Sequence, residues 1–192
     1  MVYFFTYGPL EVALPVYAVH TLRTDATGYG LLWSALAVGS LVGVLGGRRI
    51  AAVRRPGVVL ACIAVGWGLA LLPLVALTRL VPALAVMGVA GLIWGPYTMI
   101  EISLLQRLVP APLRGQFFGA RATLLAVCAP VGAVCGGLLL TSLSGGAVIG
   151  LSAAGCIAVG IAGILSPLRS VARGEPPSTT AVGDSSAQLP TH

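Results

Sequence analysis

Arg48-Arg49-Ile50-Ala51-Ala52-Val53-Arg54-Arg55 sets four arginines in eight residues between two long uncharged runs, residues 26–47 and 56–78. In a soluble protein such a stretch is one solvated face among many. Between apolar runs of this length it reads as a short loop joining two membrane spans, and its charge orients everything around it.

Composition supports that reading. Only 8% of the 192 residues are charged and 57% are hydrophobic. A soluble domain carries about 25% charged residues, so this chain cannot cover itself with a wettable surface. The net charge of +6 does not point to nucleic acid. Its arginines stand at the ends of apolar runs, with no basic helix face and no basic patch interleaved with aromatics. Cys62, Cys128, Cys135 and Cys156 lie inside apolar runs without CxxC or Cys/His spacing, so neither a disulfide nor a metal or cofactor site is indicated. No basic segment and cleavage site mark a removable signal peptide.

The hydrophobic pattern predicts an all-α integral membrane fold of six spans over residues 1–166, followed by a disordered cytoplasmic tail over 167–192. The spans fall at about 2–20, 29–47, 57–77, 81–105, 116–140 and 147–166. Breakers separate them: Thr24-Asp25-Ala26-Thr27-Gly28, Arg55-Pro56-Gly57, Pro110-Ala111-Pro112 and Ser144-Gly145-Gly146. With the arginine loop inside, alternation puts Arg107, Arg114, Arg121, Arg169 and Arg173 on the same side and leaves only Arg23 and Arg79 outside. Nine against two places both termini in the cytoplasm.

Small residues recur every fourth position at Gly39, Gly43 and Gly47, at Gly132 and Gly136, and at Gly150, Ala154, Ala158 and Ala162. Such stripes let helix backbones approach closely in lipid.

Polar residues are unevenly spread. The third and sixth spans carry no ionisable side chain but cysteine and read as lipid-facing. In the first, Tyr3, Tyr7 and Glu11 share one helical face, and Glu11 lies between Pro9 and Pro15. An acid near mid-bilayer costs about 2.5–3.5 kcal/mol on insertion scales. Two readings stand side by side: a carboxylate in a solute or proton pathway, or a carboxyl bonded only to a neighbouring helix. In the fourth span Trp94, Tyr97, Thr98 and Glu101 share a face beside Gly95-Pro96, where a kink is expected. That face can wall a pocket for an amphipathic solute. Glu101 reads first as structural, paired with Arg121 or Arg107 at the inner mouth of the bundle. His20 reads as interfacial.

Three segments carry a resemblance. Gly43-Val44-Leu45-Gly46-Gly47-Arg48-Arg49, with Arg54-Arg55 after it, resembles the second copy of the Gly-x-Leu-x-Asp-Arg loop of the major facilitator superfamily, with Gly47 where the strong form has Asp. Pro110-Ala111-Pro112-Leu113-Arg114-Gly115 is similar to that family's Pro-x-x-x-Arg-Gly loop. Ala129-Pro130-Val131-Gly132-Ala133-Val134-Cys135-Gly136-Gly137 resembles its exporter helix signature, with Ala129 in place of the leading Gly. The resemblance, to drug- or siderophore-exporter-like members, implies the carboxyl-terminal six-helix half of a twelve-helix transporter. It further implies a cavity lined by the first and fourth spans and proton-coupled export of a small organic solute across a bacterial plasma membrane. The implied partners are the lipid bilayer and either an N-terminal six-helix half or a second copy, since the first span begins at once and is a poor insertion signal. Two other readings compete. An intramembrane hydrolase would need a base beside a nucleophile, but the histidines are only His20 and His192 and GxSxG is absent. A truncated or non-transporting membrane subunit is the other.

Overall fold

The computed structural model describes residues 2–47 and 56–165, with side chains from 7 to 46 and from 56 to 165. Arg48, Arg49, Arg54, Arg55, the tail 167–192 and the side chains of Tyr3 and Gly47 lie outside the described residues.

Six α-helices follow one another: α1 (Val2–His20), α2 (Ala26–Gly47), α3 (Pro56–Leu71), α4 (Leu80–Leu108), α5 (Arg114–Leu140) and α6 (Gly145–Leu165). A 3-10 turn, Leu72–Val75, prolongs α3, and another, Ala111–Leu113, leads into α5. No strand occurs among the described residues. Each predicted span is a helix. Five stretches are long and apolar enough to cross a membrane: Ala26–Gly46, Pro56–Val75, Leu80–Leu108, Ala111–Leu140 and Gly145–Leu165. The helix α1, which carries Glu11, His20 and two prolines, is not among them.

Local chemistry sets the boundaries. Asp25 Oδ1 accepts hydrogen bonds from the backbone amides of Thr27 and Gly28 at 3.0 and 3.1 Å, and this cap starts α2 three residues earlier than the expected Tyr29. At the far end of α4, Arg114 donates from Nε to the Val109 carbonyl (3.1 Å) and from Nη2 to the Gln106 carbonyl (2.7 Å). A cation thus closes carbonyls that have no helical partner. Ser144-Gly145-Gly146, expected as a turn, is corrected. Both glycines are in the first turn of α6, and Ser144 Oγ accepts from the Ala147 amide at 3.3 Å. Glycine is needed at 145 for packing, because a Cβ there would lie 2.9 Å from the Tyr17 backbone nitrogen.

The helices pack as a row in the order α5, α1, α6, α3, α4, α2. Exchanging α1, α2 and α3 with α4, α5 and α6 reverses that row and leaves every major neighbour relation intact. Thus α1 against α5 mirrors α4 against α2, and α1 against α6 mirrors α4 against α3. The sequence carries the same exchange. Tyr7-Gly8-Pro9 in α1 has a counterpart in Trp94-Gly95-Pro96 of α4. Three helices are an odd number, so the second unit runs through the bundle in the opposite sense to the first.

Glycine sets the closest approaches. A Cβ on Gly8 would lie 2.7 Å from the Gly132 Cα, and one on Gly136 would lie 2.6 Å from the Pro9 Cα. In the mirrored crossing, Gly39, Gly43, Gly91 and Gly95 each face a backbone carbonyl of the opposite helix, at Gly88, Leu92, Leu36 and Ser40. The Leu92 carbonyl facing Gly43 is one that Pro96 leaves without an i+4 amide. In lipid, packing of this kind replaces the hydrophobic effect as the force joining helices.

The centre of the row forms the core, in which Trp67, Tyr17, Leu10, Leu14, Leu71, Met87, Ile149 and Cys156 are fully buried. Two expectations are corrected here. The third and sixth spans are not simply lipid-facing: α3 and α6 lie mid-row and turn outward only on faces such as Leu69 and Leu151. The inward stripe of α6 is Ile149, Ala153, Cys156 and Gly160, whereas Ala154, Ala158 and Ala162 are exposed. Small residues occupy several faces of α6, so their spacing alone does not identify the packed one.

Candidate functional site

The proline-bearing helices α1 and α4 flank the centre of the row, and α3 brings their candidate residues together. Trp94 and Tyr97 stack with ring centroids 4.4 Å apart and planes 10° from parallel. Trp94 also meets Trp67 of α3 at 5.7 Å, and Trp67 meets Tyr7 of α1 at 5.7 Å. Four rings therefore run continuously across three helices. Aromatic pairs at such distances contribute about 0.5–1.5 kcal/mol each beyond the area they bury.

Trp67 is the residue that sequence reasoning missed. It is 1% exposed and sits at the meeting point of both units. A helix without charge gives no polar marker of its inward face. The available signal was that Trp67 is the only aromatic of α3 and stands between Gly66 and Gly68.

Beyond the rings the two helices differ. Aligned on their Gly-Pro pairs, Glu11 of α1 corresponds to Thr98 of α4, and both side chains are exposed. Glu11, one turn beyond the half-buried Tyr7, makes no hydrogen bond or ion pair among the described residues. Glu101, one turn beyond Tyr97, is paired. Arg121 of α5 donates from Nη2 to Glu101 Oε2 at 2.6 Å, with the two side chains 17% and 18% exposed. Of the two expected partners the structure selects Arg121, and Arg107 is exposed in the last turn of α4.

The ion pair also has a topological meaning. Helices α4 and α5 are consecutive in the chain but not adjacent in the row. Their side chains meet through this pair with little backbone packing between them, so it acts as a strut between two helices that the row keeps apart. The loop residue Arg114 has its own duty, as the cap on α4. Gly43 serves the crossing with α4, whereas Arg48, Arg49, Arg54 and Arg55 of the same expected motif lie outside the described residues.

The site therefore combines a carboxylate unpaired among the described residues, a run of stacked rings and the Glu101–Arg121 ion pair. Aromatic faces of this kind suit contact with an apolar or cationic organic group. Comparison with known proteins finds no matching family model, no matching curated protein and no matching solved structure.

Proposed function

We propose that this chain is a six-span half of a secondary transporter of the major facilitator type, exporting a small organic solute by alternating access with proton coupling through Glu11. The observation that carries the reading is the exchange of α1–α3 with α4–α6. Inverted three-helix repeats, with sites near mid-membrane on discontinuous or kinked helices, are the architecture of such transporters. Here the Gly-Pro-bearing helices α1 and α4 are an exchanged pair, and they carry the exposed acid Glu11 and the stacked rings. The arginine distribution supports a multi-pass protein of a bacterial plasma membrane with both termini inside and α1 as the sixth span. The exposed outer faces of α2 and α5, at the two ends of the row, suit a partner half or a second copy.

The test is Glu11→Gln in membranes holding the chain together with its six-span partner, assayed for solute movement driven by a pH gradient. Coupled transport should be lost while the amount of protein in the membrane is unchanged. Transport that continues undiminished removes Glu11 from the mechanism. The isolated chain, reconstituted alone, should carry no flux. Robust flux from it would dismiss the requirement for a partner.

A further inference from the structure

The link between α4 and α5 holds a feature that the transport reading leaves unused. Leu108, Val109, Pro110, Leu113, Gln116 and Phe117 line a hollow of about 460 Å³ beside the strut end of the bundle. Three of its apolar walls are strongly exposed: Leu108 by 49%, Leu113 by 52% and Phe117 by 40%. Water is a poor occupant for such a surface.

Two arginines, Arg107 and Arg114, belong to the same segment. The Arg114 guanidinium donates from Nε to the carbonyl of Val109, itself a wall of the hollow, and from Nη2 to the carbonyl of Gln106. Arg107, the chain neighbour of Leu108, is exposed and enters no ion pair among the described residues. No acidic residue occurs between Glu101 and Glu175, so nothing in this segment balances those two cations. The groove between α2 and α4 offers the contrast: Val38, Val42, Val89 and Leu92 line it, with no charged residue.

The geometry points to a binding site for an anionic phospholipid at the α4–α5 link, its phosphate held by Arg107 and Arg114 and an acyl chain laid over Leu113 and Phe117. Basic pockets between helices at a membrane surface recognise such headgroups, and an arginine fork suits phosphate better than a lysine would. The α2–α4 groove would take acyl chains without regard to headgroup. The inference rests on the chain being embedded in a bilayer and is independent of solute transport.

The experiment reconstitutes the full chain in phosphatidylcholine vesicles doped with a diazirine-acyl phosphatidylglycerol or, in parallel, a diazirine-acyl phosphatidylcholine. Crosslinked peptides are then mapped by mass spectrometry. Labelling at 108–117 should favour phosphatidylglycerol about fivefold, the effect that one arginine at an anionic surface commands. Labelling of the α2–α4 groove should show a ratio near one. Arg107→Gln should lower the ratio at 108–117 toward that reference without touching the cap on α4, and high salt should do the same. Equal ratios at the two places overturn the site while leaving the bilayer reading intact. Absence of labelling anywhere overturns both.

Discussion

The units α1–α3 and α4–α6 share a packing scheme and differ in what they do with an acid. Each sends a proline-bearing helix, marked by an aromatic-Gly-Pro triplet, to flank the centre of the row, and each of these crosses a glycine-striped helix at the row's end. Yet Glu11 of the first unit is exposed and unpaired among the described residues, while Glu101 of the second is tied to Arg121. The shared packing scheme thus separates an exposed acid from a paired one. In a low-dielectric solvent that separation is informative, because a charge is retained there only where it is paired or used.

The strongest way to break the comparison is at the residue both units touch. Trp67→Ala removes the ring that Tyr7 and Trp94 share and leaves a large void in the core. The expected loss is about 3–5 kcal/mol, read as thermal unfolding of the purified chain in detergent. Stability that survives the change would mean that the two units are held independently of the aromatic run.

Next come the crossings. Gly8→Leu and Gly95→Leu each drive a side chain into the facing helix backbone, and each should cost about 1–3 kcal/mol or more. Similar losses would sharpen the equivalence of the units, and a tolerant Gly8 would show α5 to be loosely seated. Gly46→Ala is the control, because a Cβ there meets nothing within 4 Å. It should remain within about 0.5 kcal/mol of the parent.

The acids then test their own difference. Glu101→Gln leaves Arg121 without its counter-charge, and its Nε is already buried with no partner among the described residues. Because the pair is partly exposed, the expected loss is about 1–2 kcal/mol, less than for a fully buried pair. Glu11→Gln should change stability by no more than about 0.5 kcal/mol. A double-mutant cycle with Arg121→Gln should give coupling to Glu101 and none to Glu11. Coupling of Arg121 to Glu11 would erase the division between the two acids.

Much of this was legible in the chain, and the exceptions have physical causes. Long apolar runs broken by Pro, Gly and Asp marked all six helices, because helix length and breakers are local properties. That Glu101 pairs with an arginine was legible too, but the choice between Arg121 and Arg107 was not, because it depends on where α5 lies against α4. The packed faces of α3 and α6 were not. In lipid both the inside and the outside of a helix are apolar, so the amphipathic contrast that reveals a buried face in water is absent. The repeat was also in plain view as Tyr7-Gly8-Pro9 and Trp94-Gly95-Pro96. It acquires meaning only when the row order shows α1 and α4 to be equivalent.

The smallest effect lies where the two units are linked internally. The α1–α2 link is closed by an acid, Asp25, at a helix N-terminus, whereas the equivalent α4–α5 link is closed by a base, Arg114, at a helix C-terminus. Only the first can titrate in the acidic range. The Gly28 amide, followed by the contacts to Thr27, holds the fully exposed Asp25 carboxyl below its usual value. A depressed carboxyl contributes stability above its unfolded value of 3.8, and that contribution is lost as pH falls through the lower folded value. Amide exchange at Thr27 and Gly28, corrected for intrinsic rates, should therefore quicken below about pH 4, while the last turn of α4 keeps its protection. Asp25→Ala should quicken exchange at every pH. Asp25→Asn, which keeps an acceptor but cannot titrate, should abolish the pH dependence while leaving most of the protection. Acid-induced opening that persists in Asp25→Asn would assign the titration to another group and leave the two links alike.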